Sequence, residues 1–312
     1  MIIKTYNPET LQEKETISEI TSVIFNRRFY KVGSFEIQTT SDKFEKNDII
    51  AYSYNGEIRS GIVMKSVENN DVFNISGYDL KGIYGFRYII EPTAISGTPD
   101  AVIKSLVKQY LKTGERNIEG LIVSSDAVVG DSITYTPSEG FLEKTVESIG
   151  LSYEIGTSIE FDLVNMNFKT LKGEDRTLDV KFGRRYRNIE KVEHTKDLFN
   201  TYNVGYYLDG ETLQSSGTAK GILRRECYKK DNIDEYLKEK APIETIIAEA
   251  NERYKYGVDY KLGDYVTVMT RTASTIKQIT EIKEVHEHSR HTVIPVFGVE
   301  KENPIKKLMK GT

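Results

Sequence analysis

From about residue 17 to residue 95, apolar and polar positions alternate with the period of a half-buried strand. In SFEIQTT, Phe35 and Ile37 fall on one face, and Glu36 and Gln38 on the other. DIIAYSYNGEIRSGIVMKSV reads as two strands joined at Asn55-Gly56, a dipeptide suited to a tight hairpin turn. VFNISGYDL adds a strand, and LKGIYGFRYIIEP a short apolar turn leading to an edge. Several short strands at this spacing predict a small barrel or sandwich.

The period then changes. Thr98, Pro99 and Asp100 form a helix start, with a hydroxyl cap, proline at the first helical position and an acid in the first turn. Ile103, Leu106, Val107 and Tyr110 follow at helical spacing, with Gly114 just past the end. A second helix is predicted from about Ser138 to Ile149, with Leu142, Val146 and Ile149 on one face and Gly150 as its stop. LSYEIG, SIEFDLV and MNFKTL read as strands that complete a small α+β module.

Strands return after about residue 177 with TLDVKFG, NIEKVEH, LFNTYNVGYYL and GILRRECY. A helical interlude is predicted near 232–256, in two pieces. Asn232 caps a first piece through Leu237, and Pro242 restarts a helix carrying Ile243, Ile246, Ile247, Ala250 and Tyr254. LGDYVTVMT, STIKQITEIKEVHEH and HTVIPVFGVE close the chain as a meander. The predicted fold class is mainly β with an α+β insert. A first β-domain occupies 1–95, the inserted module 96–176 and a second β-domain 177–312.

The two β-rich parts echo each other. KNDIIAYSY resembles LGDYVTVMT, with Asp48 matching Asp264, and MKSVE (Met64 to Glu68) resembles IKEVH (Ile282 to His286). Both parts then finish in a strand meeting a glycine, Gly77 or Gly298. The echo reads as a diverged pair of related β-domains, with convergence of β-hairpins as the alternative.

Composition narrows the function classes. The chain has 312 residues, 38% hydrophobic and 29% charged, long enough for a sizeable core in two or three domains. No window approaches the length and apolarity of a membrane helix, and no secretion signal opens the chain, so no membrane anchor is expected. Net charge is −4, from 43 Lys and Arg against 47 Asp and Glu dispersed along the sequence. Phosphate binding needs clustered cations, so a nucleic-acid-gripping surface is not expected. Twenty tyrosines without a tryptophan point to half-buried strand faces and subunit contacts.

Candidate chemistry is sparse. No nucleophile elbow, Walker loop, dinucleotide fingerprint or paired-cysteine motif occurs, so neither catalysis nor a cofactor is expected. A carboxylate pair of the glycosidase kind has no distinctive context here. The lone Cys227 excludes an internal disulfide; basic neighbours in LRRECYKK can lower its pKa, but no companion motif makes it a nucleophile. Three of the four histidines, His286, His288 and His291, lie in VHEHSRH. In a strand, His286 and His288 share a face, a spacing that chelates a metal when a third ligand arrives. The competing reading, a polar hairpin tip between two apolar strands, is the favoured one.

Two arginine–aromatic stretches, FNRRFYKVG and FGRRYRNIE, pose a sharper question. Stacking on single-stranded bases is one use for Arg27, Arg28, Tyr30, Arg184, Arg185 and Tyr186. Yet neighbours on a strand point to opposite faces and cannot line one groove. The expectation is that these residues stack or pair with carboxylates at sheet corners or subunit contacts.

In succession, FNRRFYKVGSFEIQTT, KNDIIAY, GIVMKSV, FNISGYDLKGIYGFRYI, YKLGDYVTVMT and VIPVFGVE resemble the baseplate-hub proteins of long-tailed bacteriophages and phage-tail-like bacteriocins. The carrying motifs are Gly33-Ser34-Phe35-Glu36-Ile37, the segment Ile75 to Ile83 followed by Arg87, and Leu262 to Val266. The resemblance implies two tube-like β-domains per chain and a homotrimer whose six similar domains match a hexameric tail ring. It implies a place at the tail tip of a virion or tail-like particle made in a bacterial cytoplasm. The implied partners are a distal tail ring protein, a tape-measure protein and fibre or spike proteins, with DNA only as passing cargo. Any channel face is then expected to be neutral or weakly acidic, with the arginine pairs away from it. Lytic or receptor-binding activity is expected on other chains, since this one stops at Thr312. Two other classes stay open from the residues alone, a carbohydrate-active or peptidoglycan hydrolase and a solitary β-rich binding module.

Overall fold

The computed structural model describes residues 1–54, 56–125, 130–250, 253–269, 274–287 and 290–298. By internal contacts the chain forms two units: 1–173 with 281–293, and 174–280 with the residues from 294 on. These units follow packing. Residues 96–173 share unit 1 with 1–95, and 281–293 group there as well.

Unit 1 begins with β1 (Ile3–Tyr6), β2 (Glu13–Ile17), β3 (Ile20–Arg28), β4 (Ser34–Thr39), β5 (Ile49–Tyr54), β6 (Glu57–Asn69) and β7 (Val72–Asp79). The sheet order is β3-β4-β7-β6-β5-β1-β2. Tyr54 pairs with Glu57 across the hairpin turn read from the sequence; Asn55 lies outside the described residues. Successive residues of β5 alternate between two apolar cores: Ile49 and Ala51 join one, Ile50 and Tyr52 the other. The sheet is thus covered on both faces, which is why IIAY is buried throughout instead of half exposed.

The layer over one face comes from the rest of the unit: β8 (Tyr88–Ile89), β9 (Ile95–Gly97), α1 (Pro99–Leu111), β10 (Leu121–Val123), β11 (Ile133–Tyr135), β12 (Gly140–Phe141), α2 (Leu142–Tyr153), β13 (Gly156–Phe161) and β14 (Met166–Leu171). Ile103, Leu106, Val107 and Tyr110 of α1 are all buried, as their spacing predicts. The Thr98 hydroxyl does not cap the helix backbone; it donates to Asp100, whose carboxylate also meets Lys104 at 3.3 Å inside the core. Helix α2 starts later and ends later than predicted. Gly150 is not its stop but an interior residue, and a Cβ there would lie 2.6 Å from the Ile155 carbonyl oxygen. The missing side chain lets the returning chain close on the helix, where Ile155 N–H donates to Gly150 O at 2.9 Å. Three strands were expected after the helix; 151–153 remain helical, and only β13 and β14 form.

Unit 2 contains β15 (Lys181–Gly183), β16 (Ile189–Asp197), β17 (Val204–Asp209), β18 (Thr212–Ser216), β19 (Glu226–Tyr228), α3 (Ile233–Glu239), β20 (Ile243–Ala250) and β21 (Tyr265–Met269). Two long strands follow, β22 (Ser274–Glu287) and β23 (Arg290–Phe297). The order is β16-β20-β23-β22-β21-β15, with β17, β18 and β19 in a separate small sheet. Residues 281–287 of β22, grouped with unit 1, pair antiparallel with β3.

The helix expected after Pro242 is instead the strand β20. Ile243, Ile246, Ile247 and Ala250 fit a helical spacing, but the run is rich in β-branched residues. Both edges also find distant partners: Ile247 is opposite Glu193 of β16 on one side and Val296 of β23 on the other. Long-range pairing overrides the local period. The first piece of the interlude does form, as α3.

Labelling the five meander strands of each unit a to e in chain order gives one arrangement twice. Strands β3, β4, β5, β6 and β7 lie in the order a-b-e-d-c, and so do β16, β20, β21, β22 and β23. The sixth strand marks the divergence, because β1 pairs antiparallel to β5 whereas β15 pairs parallel to β21.

Candidate functional site

The same turn introduces strand c in both units. Glu45 N–H donates to Asp48 Oδ2 at 3.2 Å, and Lys261 N–H to Asp264 Oδ2 at 2.8 Å. Asn47 N–H then donates to Val63 O at 2.8 Å and Val63 N–H to Asp48 O at 2.9 Å. In unit 2, Gly263 donates to Ile279 O at 2.8 Å and Ile279 to Asp264 O at 2.9 Å. The residue before each aspartate has positive φ, 70° at Asn47 and 99° at Gly263, where asparagine and glycine are the tolerated residues. Both carboxylates are buried and take a further donor, Lys14 Nζ for Asp48 and Glu174 N–H for Asp264. The aspartates matched in the sequence are therefore equivalent in space. This geometry equates Val63 with Ile279, so the similarity of MKSVE to IKEVH is offset by two residues, one full strand period.

The two arginine pairs are not equivalent. FNRRFYKVG is the tight corner between strands a and b of unit 1. Lys81 Nζ reaches into it and donates to the carbonyls of Arg28 and Lys31. Burial pushes the Lys81 ammonium down and the neighbouring Asp79 carboxyl up. Phe29 and Tyr30 are buried edge to face, with ring centroids 4.8 Å apart. Arg27 Nη1 lies 3.4 Å from Glu57, and Arg28 Nε donates to Glu281 at 2.8 Å. In unit 2 the a–b connection is the long stretch 198–242, which carries the small sheet and α3. FGRRYRNIE lies elsewhere, between β15 and strand a. Arg184, Arg185 and Tyr186 form a single 3₁₀ turn, so the expected strand alternation does not apply to them. Arg184 and Arg185 are exposed, and the Tyr186 carbonyl accepts Arg253 Nη1 at 2.9 Å. Inside this turn, Asn188 is fully buried, accepting Gly183 N–H at 2.9 Å and donating to Lys181 O at 2.7 Å.

The lowered pKa considered for Cys227 is not found. Burial pushes its thiol up, and the basic neighbours do not offset this. The sulfur faces the Val204 carbonyl at 3.7 Å.

The charged centre of unit 1 was missed from sequence. Arg59 and Glu284, 4% and 0% exposed, form a forked pair, with Arg59 Nε 2.9 and 3.0 Å and Nη2 2.8 Å from the carboxylate oxygens. Arg59 Nη1 extends the network to Glu57 at 2.7 Å. The partners are 225 residues apart, so no local pattern announces them.

Beside this pair lie His286, two residues along β22, and His291 on β23; His288 is outside the described residues. The His286 and His291 rings are 4.2 Å apart, with Tyr54 4.7 Å from the first and 3.9 Å from the second. The Tyr54 hydroxyl hydrogen-bonds His291 Nδ1. Burial, then the neighbouring imidazole, pushes His286 down to about 4, and burial lowers His291 as well. His286 is neutral at pH 7. The pair brought together is thus His286 with His291, across the hairpin, packed under an aromatic ring.

No protein-family model and no curated protein sequence matches the chain, but solved structures do. The tail protein from Neisseria meningitidis MC58 superposes with a TM-score of 0.58 at 13% identity, over 96% of each chain. The 43 kDa tail protein of prophage MuSo2 from Shewanella oneidensis gives 0.59 at 10% identity, over 95% of this chain and 96% of that one. The E. coli c3393 protein is a type VI secretion component described as structurally similar to T4 tail proteins gp27 and gp5. It gives 0.51 at 9% identity, over 96% of this chain and 77% of that one. The chain has the mainly β fold of phage tail proteins.

Proposed function

We propose that this protein is a structural component of a phage tail or tail-like particle, and specifically the baseplate hub at the tail tip. One observation carries the reading: a single chain holds the a-b-e-d-c sheet twice, each copy entered through the same buried aspartate turn. Three such chains present six similar sheets, which fits a threefold part beneath a sixfold ring. The division into tube-like regions at 1–95 and 177–312, with 96–176 between them, belongs to this proposal.

The hub joins the tail tube to fibre or spike proteins, forms part of the ejection channel, and contacts the distal ring and the tape-measure protein. DNA passes only as cargo. Exposed Arg184 and Arg185 supply subunit contacts in this reading, while Arg27 and Arg28 hold a sheet corner. Surface apolar groups support assembly: Tyr88 and Phe141 meet edge to face at 5.4 Å while both remain exposed, with exposed Phe86 and Ile90 on either side of Tyr88 in sequence. Catalysis has no part in it.

The solution mass tests the proposal. Light scattering of the concentrated full chain is expected to give three times the chain mass. Substituting Arg184 and Arg185 by alanine is expected to shift that mass toward the monomer while leaving the melting curve in place. A dilution-independent monomer, retained when tail-ring protein is added, contradicts the reading.

A further inference from the structure

Glu284, His286 and His291 place three potential ligand atoms within 4.8 Å of one another. We propose that Glu284, His286 and His291 bind one divalent transition-metal cation of the zinc class, stapling the β22–β23 hairpin within unit 1.

The first support is unused bonding capacity. Nε2 of His286 and Nε2 of His291 are both buried, and neither has a hydrogen-bond partner among the described residues. Two buried ring nitrogens without donors or acceptors, on imidazoles whose centroids are 4.2 Å apart, are unusual in a packed protein. Each carries a lone pair when the ring is in its Nδ1–H tautomer, and a cation between them satisfies both. The second support is orientation. Tyr54 meets His291 at Nδ1, and metal-binding histidines commonly give their other ring N–H to such an oxygen acceptor. In the bound form Nδ1–H donates to the Tyr54 oxygen, leaving Nε2 for the metal.

The third support is the donor set itself. Strand parity puts Glu284 and His286 on one face, and His291 arrives from the next strand. Arg59 occupies both Glu284 oxygens, but a carboxylate has about four acceptor sites, so ligation and the ion pair coexist. Two imidazoles and a carboxylate suit zinc, cobalt or nickel, whereas calcium and magnesium take oxygen ligands. Bonds of about 2.1 Å require ligand atoms about 3.4 Å apart, a contraction that small side-chain rotations supply. Solvent completes the coordination.

The test uses the full chain stripped with chelator, then titrated separately with Zn²⁺, Co²⁺ and Ca²⁺. Expected are one Zn²⁺ or Co²⁺ per chain, visible absorption of tetrahedral Co²⁺, a rise in melting temperature and no comparable Ca²⁺ binding. His286→Ala and His291→Ala should each abolish the site, Tyr54→Phe should weaken it about 10–100-fold, and His194→Ala should leave it intact. Should the alanine variants fail to fold in chelator, His286→Asn and His291→Asn replace them. Sub-stoichiometric Zn²⁺ on the unaltered chain, or full binding in both His286 and His291 variants, overturns the proposal. So does loss confined to His288→Ala, which puts the metal on His288 instead.

Discussion

Glu284→Ala is expected to lower the unfolding free energy by about 3–5 kcal/mol, measured by urea denaturation in chelator so that no metal contributes. The cost comes from what remains. Arg59 is buried and keeps its charge, and deletion of Glu284 removes the carboxylate that its Nε and Nη2 both meet. Glu57, half exposed and bonded to Nη1, compensates only in part. A pair of this kind often contributes little over an apolar replacement, so Arg59→Met with Glu284→Leu should recover most of the loss. Equal destabilisation of the single and double variants would show that packing, not the orphaned charge, governs the site. A loss below about 1 kcal/mol in Glu284→Ala would show the pair to be solvated.

Phe182→Ala is expected to cost about 3–5 kcal/mol, the usual range for a fully buried aromatic. Phe182 sits in the core of unit 2 among Tyr254, Tyr260 and Phe297, with ring centroids 5.6, 5.4 and 5.1 Å away. It also sits on β15, the strand whose parallel pairing with β21 distinguishes the second repeat from the first. Hydrogen exchange should therefore accelerate throughout unit 2, including β21. A loss under about 1.5 kcal/mol would mean that the ring pocket collapses around the cavity or is wetter than its burial indicates.

What the sequence reveals depends on how local the deciding contact is. The hairpin at 54–57, helix α1 and the Asp48–Asp264 match are legible because adjacent residues decide them. Strand β20 is misread because its spacing suits a helix and its partners, β16 and β23, lie far away in the chain. Gly150 looks like a helix stop because the sequence cannot show the returning chain at Ile155 that closes on it. The arginine doublets look alike in letters but occupy different points of the repeat, one a strand corner and the other a turn before strand a. The histidine cluster was half legible. Its residues stood out, but the pairing His286 with His291 needed the hairpin, and Glu284 needed the strand face it shares with His286. Arg59 had no local signal at all.

In the proposed hub, one chain supplies two similar sheets to a threefold assembly. End-on electron microscopy averages of the particle formed by the purified chain, alone or with its tail ring, test it most directly. The expected image is a ring of three chains around a central hole, with six similar lobes when no symmetry is imposed. A closed particle without a hole, or a ring whose lobe number equals its chain number, would contradict it.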